Sequence, residues 1–269
     1  MSKGRPQPWR AAVINLVVVV ALLVAVSFLP PDTSLASRQA AGSLMLCVPP
    51  SYPPLVTGDA DKPGYEVELG DAVAEALGLK LVVNVLPSIG KDFNPRNWFL
   101  TRAQCDMVGG GVADTVQTRS FMQTVPTAVR TGWIGISPSG AMPPAGSVVA
   151  VLPGTSGLNR VSLSSWLRGR QVRAQLVRSP AELSQMLRSG AAAAGVTERF
   201  VEGRLDLDPA AFPVFSLDEA QFPSYPMALG MWKGDQTLKR AVENAVRRLE
   251  QSGALANLQE RYGMGPAEL

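Results

Sequence analysis

The sequence predicts an α/β protein of two lobes, each a mostly parallel sheet flanked by helices, with two crossovers between them. Three observations carry this expectation. Short apolar strands alternate with amphipathic helices after residue 42, the alternation restarts near Ser147, and the chain returns at Met227 to close with two helices. Such alternation implies parallel strands joined by covering helices. A chain of 269 residues is long enough for a sizeable core in either one large or two small domains.

The elements follow in order. Ser43–Val48 reads as a strand. Residues 64–78 hold a helix with Val67, Leu69, Val73, Ala76 and Leu77 inward and Gly78 as its stop. Residues 79–86 form a Val- and Leu-rich strand, 97–104 a short helix and 105–109 a strand. In the second cycle, 147–152 reads as a strand, Gly154-Thr155-Ser156 opens a helix toward Trp166, and 172–177 is the next strand. Ser179-Pro180-Ala181-Glu182 is a capping box with proline at the first helical position, and Gly190 ends that helix. A strand of small residues spans 191–197. The chain then returns through a strand at 227–233, a helix at 235–251 with Leu238, Ala241, Val242, Ala245, Val246 and Leu249 on one stripe, and a last helix at 253–262. Segments 130–137 and 222–227 join the units. One lobe is expected from 43–135 with 225–269, the other from 136–224.

Composition narrows the function. Apolar residues at 46% and charged residues at 17% exclude a disordered chain. The absence of histidine excludes a Ser-His-Asp triad, a Cys-His dyad and a His-bearing zinc site, and two cysteines cannot make a four-cysteine one. No metal or organic cofactor is implied. The net charge of +3 resides wholly in the first 42 residues, where Lys3, Arg5, Arg10 and Arg38 face only Asp32. The body is neutral, so nothing draws it to nucleic acid.

Residues 1–42 read as a signal peptide or N-terminal membrane anchor plus linker. Lys3, Arg5 and Arg10 precede an uncharged Val- and Leu-rich run at 11–29, stopped by Pro30 and Pro31. This is a secretory pattern, and Ser34-Leu35-Ala36 offers a cleavage site after Ala36. As a helix the run would span about 28 Å, nearly a bilayer core, so an uncleaved inner-membrane tether is the alternative. Both export the body to a compartment that permits disulfides. Cys47 and Cys105 lie at predicted strands. If these are neighbours in one sheet, a bridge is geometrically reasonable and would stabilise by about 4 kcal/mol for a loop of about 58 residues. The alternative is two buried thiols.

A cleft between such lobes could hold a small charged ligand, given a cation for carboxylate, helix-start N–H groups, an anion for ammonium and an apolar wall. Arg119 is the candidate cation. It follows the loop from Gly109 through Gly111 and Asp114 to Thr115, at the carboxyl end of a strand, the ligand edge of open α/β sheets. Its planar fork suits carboxylate, although a surface ion pair would also explain it. Thr155 and Ser156 could bind an anion or cap a helix. Glu198 could pair with an ammonium or face solvent. Tyr52 could wall the cleft or pack beneath its own loop, and Trp98 reads as packing.

These stretches resemble the polar amino-acid-binding family of periplasmic solute-binding proteins of ABC importers (family 3, type II periplasmic-binding fold). Ser51-Tyr52-Pro53-Pro54-Leu55 is similar to the family's "SYPPF". Gly64-Tyr65-Glu66-Val67-Glu68-Leu69, running to Ala74-Glu75-Ala76-Leu77-Gly78, is similar to "GFDVDLAKAIAKELG". Trp98 to Asp106, then Gly110 to Arg119, is similar to "W…AL…G.CD…GG…T..R", and the tail from Met227 to Gly263 resembles the family's last strand and helices. The likeness covers about residues 43–269. It implies that Arg119 holds a ligand carboxylate, that Gly154-Thr155-Ser156 assist from the second lobe, that Glu198 holds an ammonium, and that Tyr52, with Thr115 and Gly111, lines the pocket. There are two departures. The family places threonine three residues before the arginine, whereas Thr115 is four before Arg119. Its "FSxPY" is replaced by Thr124-Val125-Pro126-Thr127.

The resemblance implies a non-enzymatic, monomeric, exported receptor. It would capture a small polar ligand, an amino acid or related carboxylate, and deliver it to an ABC permease by closing its lobes. An accessory or sensor protein of the same fold is the alternative, since the cysteine pair also resembles solute-binding-like proteins associated with quinoprotein dehydrogenases. A dehydratase of prephenate type would need Glu198 or Asp114 as general acid.

Overall fold

The structure, a computed structural model, describes residues 8–27, 31–89, 95–154, 156–218 and 220–264. It forms two units, Met1–Thr33 and Ser34–Leu269. The first contains helix α1 (Pro8–Ser27), apolar all round, whose side chains from Ala11 to Val24 are exposed. Among the described residues no helix is long and apolar enough to cross a membrane.

The second unit begins with α2 (Ser34–Ala41) and is built on two five-stranded sheets. The first contains β1 (Ser43–Val48), β2 (Lys80–Val85), β3 (Met107–Val108), β4 (Gln123–Thr131) and β10 (Tyr225–Met231), in the order β2-β1-β3-β10-β4. The second contains β5 (Trp133–Ile136), β6 (Val148–Leu152), β7 (Arg173–Leu176), β8 (Ala194–Glu198) and β9 (Val214–Ser216), in the order β7-β6-β8-β5-β9. In each sheet every strand but one runs the same way. The reversed strand is β10 in the first and β5 in the second. The chain passes between sheets at Gly132 and again between Ser216 and Tyr225.

Helix α3 (Tyr65–Ala76) buries Tyr65, Val67, Leu69 and Val73 on the first sheet, beside α7 (Gln236–Gln251) and α8 (Ala254–Arg261). Gly78 follows α3 at φ +70°, the left-handed position that ends a helix. The apolar stripe of α7 buries Leu238, Val242, Ala245 and Val246. On the second sheet lie α5 (Arg160–Gly169) and α6 (Pro180–Arg188), with Leu163, Trp166, Leu167, Leu183 and Leu187 buried. Ser179 caps α6 by accepting the Glu182 N–H at 3.1 Å, while the Glu182 carboxylate reaches one residue further back, to the Arg178 N–H at 2.8 Å.

Several elements differ from the sequence expectation. Ala76 is exposed, because the inward face of α3 turns through Val73 and Ala74. The helix expected at 97–104 is a single 3₁₀ turn, Pro95–Trp98, followed by a turn at 102–104. Helix α5 starts six residues beyond Gly154, capped by Asn159, whose side chain accepts the Ser162 N–H at 3.0 Å. Strand β4 was masked in the sequence by Pro126, which an edge strand tolerates because its missing N–H faces no partner. The expected joining segment 130–137 is itself mostly strand.

Neighbouring strands β1 and β3 bring Cys47 and Cys105 into a disulfide with Cα atoms 5.4 Å apart. It fixes the start of β3 against β1, directly before the glycine loop.

Candidate ligand-binding cleft

The carboxyl ends of β1, β3, β6 and β8 meet between the sheets. After β1 the chain turns sharply. The Tyr52 N–H donates to the Val56 carbonyl at 2.6 Å, and the Tyr52 carbonyl accepts from Leu55 and Val56. This turn buries the Tyr52 ring and aims its hydroxyl across the cleft, where it donates to Glu198 Oε2 at 3.2 Å. The same oxygen accepts the Ser156 N–H at 3.1 Å and the Ser156 hydroxyl at 2.5 Å. Glu198 ends β8 and is fully buried. Burial raises its pKa, opposed by the bonds from Ser156 and Tyr52 and by the charge of Arg160. Gly154 lies flat against this carboxylate, since a Cβ there would sit 2.1 Å from Glu198 Oε2. Only glycine permits that approach.

The first-lobe wall follows β3. Gly110 and Gly111 adopt φ +82° and +112° and turn their N–H groups onto Glu66 Oε2. Glu66 comes from the first turn of α3 and is fully buried, and its Oε1 has no hydrogen-bond partner among the described residues. Burial pushes its pKa up to about 7 against the pull of the two glycine N–H bonds. The Ala113 N–H then donates to the Ser156 carbonyl at 3.1 Å, a second bond between the lobes.

Thr115 caps the short helix α4 (Val116–Phe121) by accepting the Thr118 N–H at 3.0 Å. Thr118 therefore holds the third helical position. It is buried, and a Cβ on Gly157 of the facing loop would lie 3.3 Å from its hydroxyl. Arg119 stands one residue later, about 100° further round the helix. It is half exposed and pairs with Asp114 at 3.3 Å, and Asp114 also accepts the Thr124 hydroxyl at 2.6 Å. The structure thus brings together Tyr52, Ser156 and Glu198, places Gly111 and Thr115 along the first-lobe wall, and turns Arg119 toward Asp114. Thr155 lies outside the described residues. Trp98 is buried beside the disulfide.

Beside the Glu198 group is a cavity of about 370 Å³ whose lining includes Tyr52, Ile89, Leu152, Arg178, Val201 and Arg204. It falls in the size range of small-molecule sites. Sequence reasoning missed three residues here. Arg178 stands two residues beyond β7, so the rule that selected Arg119 could have found it. Glu66 lay inside a motif read only for its helix. Arg204, in the 3₁₀ segment Arg199–Arg204, carries no local signal.

A family model for "Bacterial extracellular solute-binding proteins, family 3" matches residues 44–265. No curated protein sequence matches. Solved structures agree in fold. ArgBP from T. maritima, in a mutant form, superposes with a TM-score of 0.62 at 17% identity, covering 86% of this chain and 99% of its own. A substrate-binding protein of an ABC uptake transporter from Streptococcus pneumoniae, with bound histidine, gives 0.64 at 15% identity over 88% and 99%. The ancestral amino acid-binding protein AncCDT-1, described as a precursor of cyclohexadienyl dehydratase, gives 0.60 at 18% identity over 85% and 98%. Two helix-flanked sheets with one reversed strand each, a cleft at their carboxyl edges, and a family match over most of the body lead to one assignment: the chain belongs to the bacterial extracellular solute-binding proteins, family 3.

Proposed function

We propose that the protein is an exported, non-enzymatic, monomeric receptor. It captures a small polar ligand, an amino acid or related carboxylate, between its lobes and delivers it to an ABC permease. The two sheets with their helices are the lobes that close, the chain crossing at Gly132 so that β5 belongs with the second lobe rather than ending the first at 135, and the N-terminal segment directs export to the periplasm. The observation that carries this reading is the carboxylate of Glu198, held at the cleft by Ser156 and reached by Tyr52 from the opposite sheet. A contact of this kind reports lobe closure, and a ligand that bridges the same walls shifts the population toward it. Amino-acid-binding proteins among the fold neighbours support the ligand class. Tyr52, Gly111, Thr115, Ser156 and Glu198 are the proposed lining. Catalysis is disfavoured because Glu198 is saturated on one oxygen and Asp114 is held by Arg119 and Thr124.

A second reading is an accessory partner of an extracytoplasmic dehydrogenase. It is favoured by the disulfide and by the engagement of Arg119 with Asp114. A thermal-shift screen of the full chain against amino acids and carboxylates separates the two. A ligand at 100 times its Kd raises stability by about 2.7 kcal/mol. Absence of any shift, together with stable capture of a dehydrogenase, would replace the receptor by the accessory.

A further inference from the structure

We infer that the cavity beside Tyr52 is an anion site, and that its ligand is a small organic dicarboxylate held by Arg178 and Arg204. This rests on the receptor reading and names its substrate class. Both guanidinium-bearing residues line the cavity and are exposed, and neither side chain makes an ion pair or hydrogen bond among the described residues. They arise from different places in the second lobe, the end of β7 and the 3₁₀ segment after β8, yet converge on one space. Among the described residues lining it there is no carboxylate. The nearest acid in sequence to Arg178, Glu182, accepts that residue's backbone N–H instead. Two arginines facing one concavity, with no acid beside them among the described lining residues, create a positive potential that a dianion neutralises, and each planar fork donates two hydrogen bonds to a carboxylate.

The remaining walls choose among anions. Pro49, Pro50, Ile89, Leu152 and Val201 present hydrocarbon, which suits the carbon chain of a dicarboxylate better than a fully hydrated phosphate. At Glu198, Oε2 already takes three hydrogen bonds, which leaves only Oε1 for an α-ammonium.

Isothermal titration of the full chain with succinate, L-glutamine and inorganic phosphate tests this. Succinate is expected to bind, more weakly as ionic strength rises. Arg178→Gln and Arg204→Gln should each weaken it by about tenfold or more, as expected for loss of a charge-assisted pair. Both residues are exposed, so unchanged melting of the unliganded variants controls for folding. Binding of L-glutamine without succinate, lost in Glu198→Gln and indifferent to both arginines, would overturn the anion site and leave the receptor reading intact. Phosphate binding as tight as succinate, with the same arginine dependence, would overturn the dicarboxylate assignment. Silence from all three probes would overturn the site, and the receptor reading would then stand or fall by the wider thermal screen.

Discussion

Tyr52 and Glu198, separated by 146 residues, are joined by a 3.2 Å hydrogen bond that spans the two sheets. Tyr52→Phe removes this bond while keeping the ring in its turn. Stability should fall by about 1 kcal/mol, the net worth of one hydrogen bond. That corresponds to a melting temperature lower by about 2–4 °C for a chain of this size. Glu198→Ala leaves the buried Ser156 hydroxyl and N–H without their acceptor and should cost more, about 2–3 kcal/mol. Equal melting of wild type and both variants would show that the contact carries no weight.

Glu66 predicts an unusual pH dependence. Its folded-state pKa, at about 7, lies above the ordinary value of 4.5. Between these values the native state holds a proton that the unfolded state has released. Stability is therefore greatest below about pH 4.5 for this group and falls as pH rises toward 7, by about 3 kcal/mol in all. The chain has no histidine, so no imidazole titrates in this window. Urea denaturation across pH 4.5–8 should show the slope, and Glu66→Gln should flatten it. A slope surviving in that variant would assign it elsewhere, with Glu198 the next group to test.

The Cys47–Cys105 bridge closes 58 residues of sequence separation. Replacing both by serine should lower stability by about 4 kcal/mol in the chain-entropy description. Reduction of the wild-type protein before melting should reproduce the loss. A reduced protein that melts at the oxidised temperature would contradict it.

Arg119 provides the sharpest contrast between family pattern and geometry. Its contact is Asp114, with half of its side chain in solvent. Arg119→Ala should change ligand affinity by less than about threefold and stability by less than about 1 kcal/mol, as for other exposed pairs. A hundredfold loss of affinity would restore it as the carboxylate clamp.

The two-sheet architecture was legible because its strands are short, apolar and regularly interrupted by amphipathic helices. Ser43–Val48 and α7 needed nothing more than hydrophobic period. Strand β4 was hidden by Pro126, and the start of α5 by a Gly-Thr-Ser sequence whose Ser156 serves Glu198 rather than a helix. At the site, residue types were readable and directions were not. Arg119 and Thr118 are adjacent in sequence, yet one is exposed and the other buried, because Thr115 sets the helical count between them. Arg204 could not be found at all, since its place in the cavity depends on how the segment after β8 folds back.

The order β2-β1-β3-β10-β4 has a consequence for how the chain is made. Strand β4 has β10 as its sole neighbour in the sheet, and their pairing joins Thr131 to Tyr225. The second sheet, from Trp133 to Ser216, lies wholly within that interval. During synthesis the inserted sheet can therefore assemble first, while the outer one waits, with an open edge at β3, for a strand near the end of the chain. A polypeptide so ordered cannot close its first sheet until Tyr225–Met231 has been made, so the outer sheet is the later of the two to fold.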